Sequence, residues 1–169
     1  MVAILSNAHL YLGTSLFGKV SEFKFPDIEA QTIENKPIDS IGTTNYPVGL
    51  SLSNSTVTFV GFSPEAYSQL ADMFKEHLIT MRGNLRVFNG QTLKEELPIK
   101  ATLRATTKKI TPLGTIKGQE NAEFSVELNP VATKIEYKGR TLQEVDIPNN
   151  IYIVDGVDKL AKMRNNLGL

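Results

Sequence analysis

The run Ser63-Pro-Glu-Ala-Tyr-Ser-Gln-Leu-Ala-Asp-Met-Phe-Lys-Glu-His-Leu-Ile-Thr-Met81 separates two regions of alternating apolar and polar residues. How it folds decides what those regions can be. Ser63 suits an N-cap and Pro64 the first helical position, where no backbone donor is needed. Glu65 places negative charge in the first turn, against the positive end of the helix dipole. Tyr67, Leu70, Ala71, Phe74 and Leu78 recur at three- and four-residue spacing, which predicts one amphipathic helix along the run. Gly83, just past Arg82, is the expected C-terminal stop. One helix among strands must lie on a sheet.

Upstream, Ala8 to Leu12 alternates weakly and Gly18 to Phe25 clearly, with Gly13-Thr14-Ser15 as the hairpin connection between them. Asp27 to Pro47 is long and polar, broken by Pro37, Gly42 and Pro47, and carries Ile28, Ile33, Ile38 and Ile41. It reads as a loop, and one of that length is usually functional or ordered by a partner. Val48 to Phe62 reads as a long strand whose parity changes at Ser53-Asn54-Ser55, which predicts a bulge or bend.

Downstream, Asn84 to Phe88 predicts a short strand closed by the turn dipeptide Asn89-Gly90. Leu97 to Ile110 predicts a long one, with Ile99, Ala101, Leu103 and Ala105 on one face and Lys100, Thr102, Arg104 and Thr106 on the other. Strands follow from Ala122 to Leu128, Val131 to Tyr137, Arg140 to Ile147 and Ile151 to Val154. Val157 to Asn166 predicts a terminal helix, with Leu160 and Met163 inward and Gly168 past its end. Strands joined without crossover helices predict a mainly β (α+β) fold: an antiparallel sandwich or barrel with one flanking helix and a short C-terminal helix. The length, 169 residues, predicts a single domain over 1–169 with a real core.

Eighteen basic and eighteen acidic residues cancel, so no broad basic field for nucleic acid exists, and self-association is not opposed by net charge. There is no cysteine, hence no disulfide or thiolate metal site. The apolar start lacks a basic n-region and is interrupted by Asn7 and His9. No run approaches the roughly 20 apolar residues of a membrane helix, so a soluble protein is expected.

Chemistry-bearing motifs are weak. Gly13 to Lys19 matches a phosphate-binding loop except that Val20 stands where magnesium needs a hydroxyl, and a strand follows where a helix is needed. Gly61-Phe-Ser63-Pro-Glu65 lacks the second glycine of a nucleophile elbow. His9 and His77 are the only histidines, too few for a cage or relay. Glu95-Glu96 reads as a solvated loop, and Asn54-Ser55-Thr56 as a sequon without a secretion signal. Lys108, Lys109 and Lys117 form a basic patch without interleaved aromatics. No catalytic, cofactor or metal site is predicted.

The ending Val154-Asp-Gly-Val-Asp158-Lys-Leu160-Ala-Lys-Met-Arg164-Asn-Asn-Leu-Gly-Leu169 resembles the C-terminal signature of the major tail tube protein of contractile bacteriophage tails and R-type pyocins. Ala101-Thr-Leu-Arg104 with Lys108-Lys109-Ile110, the loop with Lys117-Gly118-Gln-Glu120, Lys134 to Arg140, and Glu144-Val-Asp146 are similar to the family's preceding strands and turns. The resemblance is specific in the C-terminal half and one of layout before it. Gly42-Thr43-Thr44 does not reproduce the family's Gly-Met step.

The resemblance implies a non-enzymatic structural subunit without cofactor: six-fold rings whose strands join into one inner barrel, stacked into a tube. A contractile sheath would surround that tube, with tape measure and baseplate or tail-initiator proteins as partners and phage DNA as passing cargo. It would be assembled in the host cytoplasm and end in the virion tail, without membrane insertion. Ile33, Ile38, Ile41 and Tyr46 become candidates for inter-ring contacts, or else fold back on their own barrel. Leu167 and Leu169 dock on a neighbour or cap the core. Lys100, Thr102, Arg104 and Thr106 become candidates for the lumen. A tube-like ring of a related secretion or tail-initiator complex, and a monomeric ligand-binding barrel, are the alternatives.

Overall fold

The computed structural model describes residues 1–16, 18–114, 116, 118 and 122–169. In chain order the strands are β1 (Val2–Leu12), β2 (Ser15–Leu16), β3 (Val20–Lys24), β4 (Ile28–Asn35), β5 (Thr44–Leu52) and β6 (Ser55–Val60). After helix α1 (Pro64–Leu70) come β7 (Glu76–Asn89), β8 (Thr92–Ile110), β9 (Glu123–Tyr137), β10 (Arg140–Asp146), β11 (Ile151–Val154) and β12 (Val157–Asp158), then helix α2 (Ala161–Leu167). All pairings are antiparallel. The large sheet runs β12-β11-β10-β9-β8-β7-β1-β2, with β6 joined to β9 and β3 to β6, while β4 and β5 form a separate pair. This is the mainly β, antiparallel fold, with one flanking helix and a short C-terminal helix, that the pattern predicts.

The long strands each serve two neighbours. The first half of β9 pairs with β6 through Ser55↔Leu128 to Val60↔Glu123, the second half with β10 through Ala132↔Asp146 to Tyr137↔Arg140. Pro130 sits where the partner changes, a position where a missing backbone donor costs least. The first half of β9 thereby curls over the main core. There Leu10, Leu12, Val57, Phe59, Ile79, Leu103, Phe124, Val126 and Leu128 are buried. Phe59 and Phe124 stack at 4.5 Å between centroids, and Leu70 and Ala66 of α1 close one end.

The helix is much shorter than its periodicity predicts. It stops at Leu70 with Ala71 as C-cap, and Gly83 lies inside β7. Phe74 is fully exposed and Leu78 half-exposed, so neither belongs to an inward helical stripe. From His77 a two-residue period takes over: His77 and Ile79 are buried and Leu78 is not. Pairing with β8 outweighs helix propensity there, because each residue gains a ladder bond and every second one the core. Ser63 is at the N-cap position, but its hydroxyl makes no cap bond and lies 3.4 Å from Glu65 Oε2.

The segment expected to be a loop from Asp27 to Pro47 belongs instead to the β4–β5 hairpin. Ile28 faces Leu52, Ala30 faces Leu50 and Ile33 faces Tyr46. A register shift between Gln31 and Thr32 lies opposite Pro47, whose missing donor favours a bulge. That bulge hides the alternation. The parity change at Ser53-Asn54 is therefore the point where the chain leaves one sheet for another, not a bend within a strand. Asp27 accepts from Ser53 N–H at 2.9 Å, and its own N–H donates to Ser53 Oγ at 2.7 Å, so the hairpin root is pinned.

Further differences are local. Glu95 and Glu96 lie in β8, not in a loop, and Glu96 takes a hydrogen bond from Arg86 Nε at 2.6 Å. The terminal helix begins at Ala161, since Val157–Asp158 pairs with β11. Met163 points to a groove rim instead of a buried position. Gly168 is the left-handed C-cap, at φ 73°.

Candidate assembly surfaces

Three surfaces carry the side chains singled out from the sequence. The first is the outer face of β7–β10. Lys100, Thr102, Arg104 and Thr106 alternate with the buried Ala101, Leu103, Ala105 and Thr107. Across the sheet the ladders set Thr102 between Thr80 and Lys134, and Lys100 between Arg82 and Glu136. The charges on this face pair with one another. Lys100 Nζ lies 3.2 Å from Glu136 Oε2, and Lys134 lies 3.5 Å from Glu136 and 3.8 Å from Glu144. Arg104 lies 2.7 Å from Glu76 and 3.3 Å from Asp146. Asp146, almost buried, also accepts from Asn149 N and Nδ2. At Glu136, partial burial raises the pKa, but the hydrogen bond from Lys100 and the charges of Lys134 and Lys100 outweigh it and hold the carboxyl below 4.5. Arg82 lies over the Tyr11 ring, 5.6 Å from its centroid.

The second surface is the hairpin. Ile38 and Ile41 on its connecting loop are fully exposed, and Ile33 and Tyr46 facing each other on its strands are more than half exposed. Such a cluster on a ribbon without its own core is uncommon for a side chain that meets only water. Val48, missed by the sequence reading, joins them. It is the extra residue of the bulge, so no period points to it.

The third surface is the C-terminal end. Asp158 accepts from Leu160 N–H at 2.9 Å and is paired with Arg164, which also donates to Asn150 O at 2.8 Å. These bonds hold the Asp158 carboxyl below its ordinary range and the Arg164 guanidinium above its own. The clamp fixes α2 while leaving Leu167 and Leu169 exposed. Between α2, β10–β11 and the hairpin root runs a groove of about 570 Å³ lined by Leu50, Val145, Tyr152, Leu160 and Met163 among others.

Elsewhere the candidate chemistry disperses. His77 is buried, with Nε2 3.2 Å from Asp72 O, while His9 is exposed on β1. Asn54 Nδ2 donates to Glu127, which also pairs with Lys108 at 3.1 Å. Phe17 of the glycine-rich run, and Lys117, Gln119 and Glu120, lie outside the described residues. Among the described residues, no group of three or more His, Asp or Glu could hold a metal ion, and no helix is long and apolar enough to cross a membrane.

An incompletely closed β fold with a pinned, apolar, off-standing hairpin and a polar face laced with ion pairs has the features of a subunit that other copies complete. The comparisons make the class specific. Residues 3–168 match the family model of phage tail tube protein FII. The chain belongs to that family and is a structural subunit of a tail tube. Its fold is similar to a chain in the structure of the sheath/tube terminator of an extracellular contractile injection system, PVC, in its extended state. There the TM-score is 0.57 and the identity 14%, over 77% of this chain and 93% of that one. It is similar also to a chain of the anti-feeding prophage tube-terminating cap, with TM-score 0.58 and 16% identity over 77% and 87% of the two chains. For the PVC sheath–tube complex in the extended state the values are 0.57 and 16%, over 78% and 88%. No curated protein matches the sequence.

Proposed function

We propose that this chain acts as one domain over residues 1–169 and forms hexameric rings. These rings stack into the inner tube of a contractile tail, or of a phage-tail-like bacteriocin, which sheath contraction drives through a target envelope. The observation that carries the reading is the β4–β5 hairpin, whose Ile33, Ile38, Ile41 and Tyr46 are exposed with no core of their own. Burial of such a patch against another copy is favoured by the hydrophobic effect. In the stacked tube these four residues contact the next ring, and Leu167 and Leu169 dock on a neighbour. Lys100, Thr102, Arg104 and Thr106 face the lumen, where a polar sheet face remains hydrated.

The role is structural, without catalysis or cofactor. The partners are further copies, a contractile sheath protein, and tape measure and baseplate or tail-initiator proteins, with DNA only as cargo. Assembly takes place in the host cytoplasm and the product resides in the virion tail. Negative-stain electron microscopy of the concentrated protein, beside its mass by light scattering, tests this. Rings or hollow tubes are expected. A strict monomer that stays inert when supplied with baseplate and tape measure overturns the reading.

A further inference from the structure

We propose that the open seam between β1 and β3 is a slot for a β-strand, and that its occupant is the β4–β5 hairpin of a second copy of this chain. The inference rests on the tube-subunit reading and names the surface that receives the hairpin.

β1 pairs with β7 along one edge, but along the other only Tyr11 and Leu12 are covered, by β2. From Val2 to Leu10 that edge has no strand partner among the described residues. Its sequence, Val-Ala-Ile-Leu-Ser-Asn-Ala-His-Leu, contains no Asp, Glu, Lys, Arg or Pro. Edges that must remain unpaired are guarded by such residues. A register shift between Leu5 and Asn7 is the one protective device here. Among the described residues β3 is likewise paired on one side only, with β6.

Between these two edges lies a groove of about 740 Å³. Consecutive residues line it, 8–10 of β1 and 18–23 around β3. Neighbouring residues of a strand point to opposite faces, so the groove walls are strand edges, not a sheet face. Leu5, Leu10, Val20, Phe23 and Met81 make the lining apolar. Backbone donors and acceptors on an edge beside an apolar lining are what an added strand requires.

The hairpin supplies such a strand. Its root borders the same groove as Val145 and Ile151, and β10–β11 stands towards the other end of the strand order from β1. A hairpin pinned there meets the seam of another copy, which makes the contact head-to-tail, the kind that propagates an assembly. The exposed apolar side chains of the hairpin, Ile33, Tyr46 and Val48, match the apolar lining of the seam.

The absence of native cysteine makes cross-linking clean. Cysteine is placed at Ala8 or Ser21 in the seam, together with Ile33 or Val48 in the hairpin, and the assembled protein is oxidised. Electron microscopy before oxidation reports whether rings or tubes are present. A ladder of covalent multimers from at least one seam–hairpin pair, and none from the single-cysteine chains, is expected. Rings or tubes without a ladder from any of the four pairs overturn this inference and leave the tube reading standing. No assembly of the unaltered chain, even with baseplate and tape measure, overturns both. As a second arm, Ala8→Lys puts a guarding charge on the exposed edge. It is expected to leave the monomer's circular dichroism unchanged and to raise the concentration needed for assembly by more than about tenfold. Unchanged assembly of this variant counts against the slot.

Discussion

Replacing Ile38 and Ile41 together by serine separates folding from assembly. Both side chains are fully exposed in the subunit, so the monomer loses no packing, and its stability should change by less than about 0.5 kcal/mol. If the two are buried between rings, the assembly loses their transfer from water. Burial of one isoleucine contributes about 1.5–3 kcal/mol, and of two about 3–6 kcal/mol per subunit contact. At about 1.4 kcal/mol per tenfold, the concentration at which tubes appear should rise about 10²- to 10⁴-fold. Pelleting of assembled material against total protein reads that concentration, and thermal unfolding monitored by circular dichroism reads the monomer. A variant that assembles at the same concentration as the parent refutes the inter-ring role of these isoleucines. A large fall in Tm would show instead that they pack within their own subunit.

Other substitutions probe the fold. Phe124→Ala removes the ring stacked on Phe59 in a fully buried site and should cost about 3–5 kcal/mol in urea unfolding. Gly83 lies under Leu5 and Ile99: a Cβ there would come 2.6 Å from Leu5 Cδ1 and 3.0 Å from Ile99 Cγ2. Gly83→Ala should therefore destabilise by about 1–3 kcal/mol, with most of the loss restored by adding Leu5→Ala if the crowding is the cause. Glu136 has a depressed pKa, so the stability it adds is present above its ordinary value of 4.5 and is lost as pH falls through the folded value. Glu136→Gln should flatten that acid limb of a pH–stability profile and leave the neutral region with a smaller change. Asp158→Asn should loosen α2, seen as faster hydrogen exchange over residues 161–169 with exchange in β8 and β9 unaffected.

Legibility followed the range of each physical signal. The two faces of β8 were readable because a buried strand in a half-exposed sheet imposes a strict period of two, from Leu97 through Ala105. The hairpin was not, because the bulge at Val48 shifts the phase, and Pro37, Gly42 and Pro47 look like loop punctuation. In the run from Ser63, the spacing of Tyr67, Leu70 and Ala71 continues by coincidence into Phe74 and Leu78. The competing alternation of His77, Ile79 and Met81 is equally present in the letters. What decides between them is the ladder to β8, a partner some twenty-five positions away, and a local pattern cannot weigh it. The ion pairs of the outer face depend on register across four strands. Residue types announced a polar face, but not that Lys134 would stand between Glu136 and Glu144.

The arrangement of the long strands accounts for a stable subunit that is nonetheless incomplete. The main core draws on one half of β7, from Ile79, and one half of β8, around Leu103 and Ala105. The other halves continue to the Asn89-Gly90 turn as a ribbon with β1, where Leu5, Leu85 and Leu97 line up across three strands outside that core. A ribbon of this kind has one thin apolar face that buries only a few side chains, Val87 and Leu97 among them, and a few strands without a covering layer are marginal in water. Gly83 marks its beginning, where Leu5 bends over the missing side chain. Stability therefore concentrates in the Phe59–Phe124 core, whereas the ribbon, the free edge of β1 and the hairpin keep apolar area and backbone groups available. Substitutions of core side chains should act on unfolding at any protein concentration, and those of the exposed side chains of the hairpin and the free β1 edge mainly where copies meet.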